Sequence, residues 1–511
     1  MSMRLKRETI EAGSLLRAQP QQASVEAEAT LPGGLRDEVL LFHTEAQVLP
    51  LTAEAAGNRV NVSGRVAFRA LYAQGDLTRV RSVEEMRDFS RTLTVDARET
   101  AARFEPACEI TAVSARVFNG RLLMRADLNV GAEANETHAV SVVTALEEEN
   151  AQVLSDTLTV QHAVGEGFGQ GLVKGEFEIA EALQADEALI GSGEARVEDI
   201  LGGADGRAAV TGTIDLTVCH ASRMPGHPLV YTQHSLPFEQ QVTLSGEPGD
   251  MLSAFVRVTD VAAALEDGDG GQILRVEVGV DARVQALREE ENAVISDVFS
   301  DSGSVLAPSG ERMSFCVGHV NDQTAESGRV QLVLPEDKPR IDTLLAAFVQ
   351  PVLAGARSQG GKLYADMLLR TTLVYMTEDS GIPVSYTAEE PLRMGFAGEL
   401  TENDTLSLSS SRVEAAAVAG DRAEVRFVLT LQGRGARYRQ VFAVTDVTEE
   451  DAPGFQAVLA MYRTQGDERL WDVMKRYRLS QDSLETFNEQ LRGRAADEVL
   501  PAGMEIIAYK R

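Results

Sequence analysis

Three stretches in which apolar residues recur at every second position lie far apart in this chain: Arg59 to Tyr72 (RVNVSGRVAFRALY), Arg207 to His220 (RAAVTGTIDLTVCH) and Lys362 to Tyr375 (KLYADMLLRTTLVY). Their offsets are 148 and 155 residues. A period of two turns one face of a strand to a core and the other to water. Its return at a near-constant spacing indicates copies of one supersecondary unit. A second block repeats at offsets of 150 and 151, with Arg125, Arg275 and Arg426 in register. Each of these strands follows an apolar run and a polar turn, at Asn119-Gly120, Asp267 to Gly271 and Gly420-Asp421. That order predicts a β-hairpin at one position of every copy. The opening of the unit recurs as Leu31-Pro32 and Leu334-Pro335, and the middle copy, near Gly175 to Leu189, lacks the pair.

The repeats divide the chain into units at 1–148, 149–305 and 306–453, with polar joints at Glu147 to Asn150 and Ser300 to Ser304. The expected class is mainly β, each unit a two-sheet sandwich or barrel-like module with one short helix at most. With 44% apolar residues the chain can bury several cores.

The formal net charge is −30, and its placement is uneven. From Phe455 to Arg511 nine basic residues balance nine acidic ones, so the upstream residues hold 39 basic (48 less nine) against 69 acidic (78 less nine). Such a surface repels nucleic acid and anionic lipid, so neither is an expected partner. There is no run of about 18 apolar residues that would insert into a membrane. Met1 to Pro20 carries Arg4, Lys6, Arg7, Glu8 and Glu11 and lacks the apolar centre of a signal peptide, so the expected location is cytoplasmic. Cys108, Cys219 and Cys316 form no Cys-x-x-Cys pair and read as small core residues in a reducing compartment.

Motifs that suggest chemistry have plainer readings. His220, His227 and His234 are separated by Pro225, Gly226 and Pro228, which favours a turn over a metal site. Gly165 to Gly171 has the glycines of a phosphate loop without its Lys-Ser or Lys-Thr, and reads as a linker. Asp267 to Gly271 has Val278 where a calcium loop needs its bidentate glutamate, and reads as a turn. No Gly-x-Ser-x-Gly elbow occurs, and neither an enzymatic activity, a metal nor a cofactor is expected.

After Asp451-Ala452-Pro453-Gly454 the period changes from two to about 3.6, opening a separate domain at 456–511. A strand over Met461 to Thr464 should lead to a helix capped by Asp467, with Leu470, Trp471, Val473, Met474 and Tyr477 on its inner face. A second helix capped by Ser480 should bury Leu484 and Phe487 and end near Asn488, before a closing strand over Glu505 to Tyr509. This order, with Tyr462-x-x-x-Gly466-Asp467, Leu470-Trp471-Asp472-Val473, Lys475-Arg476-Tyr477, Asn488 and Leu500-Pro501-x-Gly503, resembles a LysM domain. The resemblance implies a recognition surface made of Gly466, Asp467, Glu468, Arg469, Leu470, Asn488, Leu500, Pro501 and Gly503, and the face around Asp467, Arg469 and Leu470 is expected to contact a partner. LysM domains bind N-acetylglucosamine glycans there. Glu468 and Arg469 stand where the family usually has Asp and Thr, which favours a protein ligand over peptidoglycan.

The upstream units resemble the SPOCS domains of spore-forming bacteria over most of residues 20–450, through the Leu-Pro opening, the strands ending Leu71-Tyr72 and Val374-Tyr375, and the terminal hairpins. SPOCS repeats followed by a LysM domain look like the architecture of a family of clostridial spore coat morphogenetic proteins. The implied role is a non-enzymatic scaffold on the mother-cell side of the forespore surface. It would bind the ATPase of the coat basement layer through the LysM module and other coat proteins through the repeats. Peptidoglycan binding is the alternative, and self-association is left open.

Overall fold

A computed structural model describes residues 4–32, 38–96, 102–148, 150–202, 206–268, 271–301, 304–377, 381–450 and 458–510. They form a mainly β protein. The first part of the chain contributes β1 (Arg4–Arg17), β2 (Gln21–Thr30), β3 (Val39–Val48), β4 (Thr52–Ala56), β5 (Arg59–Gln74), β6 (Asp76–Thr94), β7 (Glu105–Phe118) and β8 (Arg121–Glu147). Next come β9 (Ala151–Ile179), β10 (Ala185–Gly202), β11 (Arg207–Ser222), β12 (Leu229–Thr243), β13 (Ser245–Gly246), β14 (Met251–Gly268) and β15 (Gly271–Ser300). The third set is β16 (Val305–Val333), β17 (Ile341–Gln359), β18 (Lys362–Thr377), β19 (Pro383–Ala397), β20 (Thr405–Ala419) and β21 (Arg422–Glu450).

Each set makes two antiparallel sheets with one plan. In one sheet the last long strand is central: β8 between β1/β2 and β7, β15 between β9 and β14, β21 between β16 and β20. In the other the middle strand is central: β5, β11 and β18, the three stretches with the clearest alternation. Both edge breaks in the first set fall at prolines, Pro20 and Pro50, which have no N–H to give a ladder. The alternating apolar faces of each sheet pair meet in one core. Val60, Phe68 and Leu93 pack with Leu122 and Leu128 in the first unit, Val210 and Ile214 with Leu274 and Val278 in the second, and Leu363 and Leu373 with Val425 and Leu429 in the third. The three hairpins before β8, β15 and β21 form. Asn119 and Gly120 both have positive φ, as a tight hairpin turn requires. Residues 269–270 of the Asp267 to Gly271 turn lie outside the described residues.

The units close into a ring. Strand β6 lies beside β10, β12 beside β17, and β19 beside β3, so each unit touches the next and the third returns to the first. Equivalent residues meet on a quasi-threefold axis. Leu71, Cys219 and Val374 occupy the same position of β5, β11 and β18 and share one apolar cluster. Opposite them a bulge skips one residue in each unit, between Leu41 and His43, Ala188 and Ile190, and Leu344 and Ala346. Val143, Ile295 and Val444 meet in another cluster. Each directly precedes a bulged hydroxyl residue, Thr144, Ser296 or Thr445. A further cluster joins Val142, Val294 and Ala443 with Ile10, Leu158 and Phe315, so three apolar clusters pin the ring, and burial of matched side chains in each supplies the drive for closure.

Polar contacts complete the joints. Glu105 of the first unit accepts ion pairs from Arg283 of the second and Arg434 of the third, each at 2.5 Å. The buried Arg69 reaches Asp260 at 2.6 Å and the carbonyl of Gly191 at 3.3 Å. Along the edge strand β14, the alternate carbonyls of Ala254, Val256 and Val258 accept from the side-chain amides of Asn321, Gln432 and Gln47. An edge that would otherwise template another strand is thus satisfied by neighbouring units.

The Gly165 to Gly171 stretch is not a linker. It lies inside β9, where Gly165, Gly167, Gly169 and Gly171 share one strand face. A Cβ on Gly165 would come within 2.8 Å of the Glu247 carbonyl, and one on Gly167 would meet the carbonyl of Thr243. The glycines let the segment from β12 to β13 cross β9 at backbone distance, a close approach that a local turn motif does not need.

Candidate functional site

The C-terminal residues fold as β22 (Val458–Arg463), α1 (Leu470–Tyr477), α2 (Gln481–Phe487) and β23 (Glu505–Lys510), with β22 and β23 antiparallel. Leu470, Trp471, Val473 and Met474 are buried on the inner face of α1, against Leu484, Leu491, Leu500 and Ile506. Ser480 caps α2, accepting from the Ser483 amide at 3.3 Å.

Two expectations are corrected here. The α1 N-cap is Arg469 and not Asp467; the Arg469 amide donates to Asp472 Oδ2 at 2.8 Å, which sets the helix start two residues later. Phe487 is 47% exposed, its ring edge resting on Tyr509 at 5.2 Å between centroids, because α2 turns Leu484 inward in its place.

Most of the nine surface candidates serve the module itself. Leu470 and Leu500 are fully buried, so neither touches a ligand from outside. Asn488 is also buried; its side chain donates to the Leu484 and Ile507 carbonyls and accepts from the Ile507 amide at 2.7 Å, tying α2 to β23. Gly466 (φ +96°) and Gly503 (φ +81°) occupy left-handed conformations. Glu468 accepts from Tyr462 and Arg476, and the Tyr462 hydroxyl holds its carboxyl below the ordinary range. Asp467 and Pro501 remain exposed and Arg469 half-exposed. The two loops that would frame a glycan groove bond to each other: Leu470 N to Glu498 O, Trp471 N to Ala496 O and Leu500 N to Glu468 O. Those amides are spent within the fold.

The exposed apolar surface lies elsewhere. On the outer face of the β22–β23 ladder, Leu459 pairs with Tyr509 and Met461 with Ile507. Leu459 is 78% and Met461 73% exposed, and Phe487 adjoins Tyr509. The sequence signal was present in the unbroken apolar run Val458 to Tyr462, which is longer than a one-sided strand needs.

The opposite side of the module is docked on the second unit. Trp471 Nε1 donates to Asp297 Oδ2 at 2.8 Å, Lys475 donates to both Asp297 oxygens at 2.7 Å, and the Trp471 ring meets Phe299 edge-on at 4.9 Å. Arg478 donates to the Ser300 and Ser304 carbonyls, and Lys510 to that of Asp301. Ladder register explains the choice of unit. The positions of Leu154, Asp297 and Phe299 are filled by Lys6, Ala145 and Glu147 in the first unit and by Ser309, Asp446 and Thr448 in the third. Only the second combines an apolar seat with a carboxylate.

The three histidines do not share a turn: His220 is buried on β11 and His234 lies on the paired β12. His220 and His234 both contact the Thr232 hydroxyl at 2.9 Å, whereas His227 lies in an exposed turn. Among the described residues no group of three or more His, Cys, Asp or Glu is placed to hold a metal. No helix among them is long and apolar enough to cross a membrane. The three cysteines are free, with Cys219 and Cys316 buried.

Fold and surface together define a ring-shaped β-repeat protein with a docked βααβ module that displays an apolar sheet face. Comparison with known proteins gave no matching family model, no matching curated protein and no matching solved structure.

Proposed function

We propose that this chain is a non-enzymatic scaffold of spore coat assembly of the SipL type, with SPOCS-type repeats and a C-terminal LysM-type module. The module binds the ATPase of the coat basement layer, and the repeat ring gathers other coat proteins on the mother-cell side of the forespore. The observation that carries this reading is the outward face of Leu459, Met461, Ile507 and Tyr509 on a module whose other side is fixed to the ring. Contiguous exposed apolar groups on a rigid support suit a protein contact. A glycan is less well served, since the amides of Leu470, Trp471 and Leu500 are occupied.

The test is binding of the purified chain to the purified basement-layer ATPase. The wild type should bind, and Leu459→Arg with Met461→Arg should weaken binding at least tenfold without altering the melting temperature. Failure of the wild type to bind, or equal binding by the double variant, rejects the reading.

A further inference from the structure

The ring encloses a feature that the adaptor role does not use. Strands of all three units line a cavity of about 1690 Å³. Ligand sites usually occupy about 300–1,000 Å³, so this space would admit a ligand with a long body. Part of the wall is apolar, formed by the partly exposed Ile110, Val352, Leu368 and Leu408.

Most charges on the wall already have partners. Glu105 bridges Arg283 and Arg434, Glu166 meets Arg103 and Arg283, Glu133 lies 3.6 Å from Arg17, and Asp404 holds Arg437. Arg257 differs. Among the described residues the one carboxylate oxygen within 4 Å of it is Asp281 Oδ2, at 3.9 Å, and Asp281 already accepts from Gln170 at 3.1 Å. The Arg257 side chain is 37% exposed and thus open to a ligand, and partial burial, with Arg434 nearby, lowers the proton affinity of its guanidinium.

We propose that this cavity binds an amphipathic organic anion, its head group on Arg257 and its apolar body along the Val352, Leu368 and Leu408 wall. The anion would replace a long ion pair with direct charge-assisted hydrogen bonds. Three units would grip it at once, which links occupancy to closure of the ring.

The experiment titrates the full-length chain with 8-anilinonaphthalene-1-sulfonate, an aromatic sulfonate, followed by displacement with decanoate. One saturable site per chain is expected. Arg257→Met should weaken it by roughly tenfold or more. Leu408→Trp, which fills the space, should do the same. Leu459→Lys with Met461→Lys, on the distant outer face, should leave it unchanged. Absence of saturable binding, wild-type affinity in a normally melting Arg257→Met chain, or loss of the site on changing Leu459 and Met461 would each overturn the proposal.

Discussion

The indole N–H of Trp471 donates to Asp297 across 2.8 Å, joining residues 174 positions apart. Asp297 also receives Lys475, so one carboxylate takes both of these bonds from α1. Asp297→Ala removes both bonds and leaves the indole without its acceptor, which costs about 1–3 kcal/mol of docking. Trp471 is the sole tryptophan, so fluorescence reads the event directly. Emission should shift to the red and acrylamide quenching should increase; unchanged emission would mean that the dock does not depend on Asp297.

Glu105 joins all three units through Arg283 and Arg434. Its side chain is 20% exposed, so the cluster is screened less than a surface pair. Glu105→Gln leaves two guanidinium groups facing each other and should cost roughly 2–3 kcal/mol. In a double-mutant cycle with Arg434→Met the losses should fall short of additive. Full additivity in denaturant melts would show that the pair does not act as a unit.

Gly167→Ala forces a methyl group onto the Thr243 carbonyl and should destabilise the chain by about 1–3 kcal/mol. Gly131→Ala is the control: its new methyl group would have no heavy atom within 4 Å, and the change should stay within about 0.5 kcal/mol. Equal melting temperatures for the two variants would contradict the close crossing of β9.

Burial pushes the Glu109 carboxyl up to about 6, from an ordinary 4.5. Between these values the folded chain binds more protons than the unfolded one, so stability falls as pH rises through that window. Glu109→Gln should therefore gain roughly 1–2 kcal/mol at pH 7 and nothing below pH 4.5. His220 acts with the opposite sign. Burial lowers it to about 4, so its contribution is complete above 6.5 and is lost as pH falls toward 4. Each Glu109→Gln melt is accordingly compared with the wild type at the same pH; no difference at pH 7 would remove Glu109 from the list of buried carboxyls.

The strands were legible because a strand buried on one face writes its period into the sequence, as Arg59 to Tyr72 does. Ring closure was not. Leu71, Cys219 and Val374 alternate as the residues of any sandwich core do, and nothing local distinguishes a side chain that faces its own second sheet from one that faces the axis. Alternating glycines in β9 looked like a linker because the backbone that demands them lies some 75 residues away, at Thr243. The helices of the C-terminal module were readable from their apolar faces. Its surface was not, since Asn488 and Leu500 belong to the pattern for structural reasons that spacing alone does not separate from binding.

A fluorescent fusion followed through sporulation in the native host tests the central claim most directly. The scaffold account predicts a shell around the forespore for the wild type and a diffuse signal for Leu459→Arg with Met461→Arg. A signal at the outer wall or septum, or a shell that survives loss of the apolar face, would contradict it.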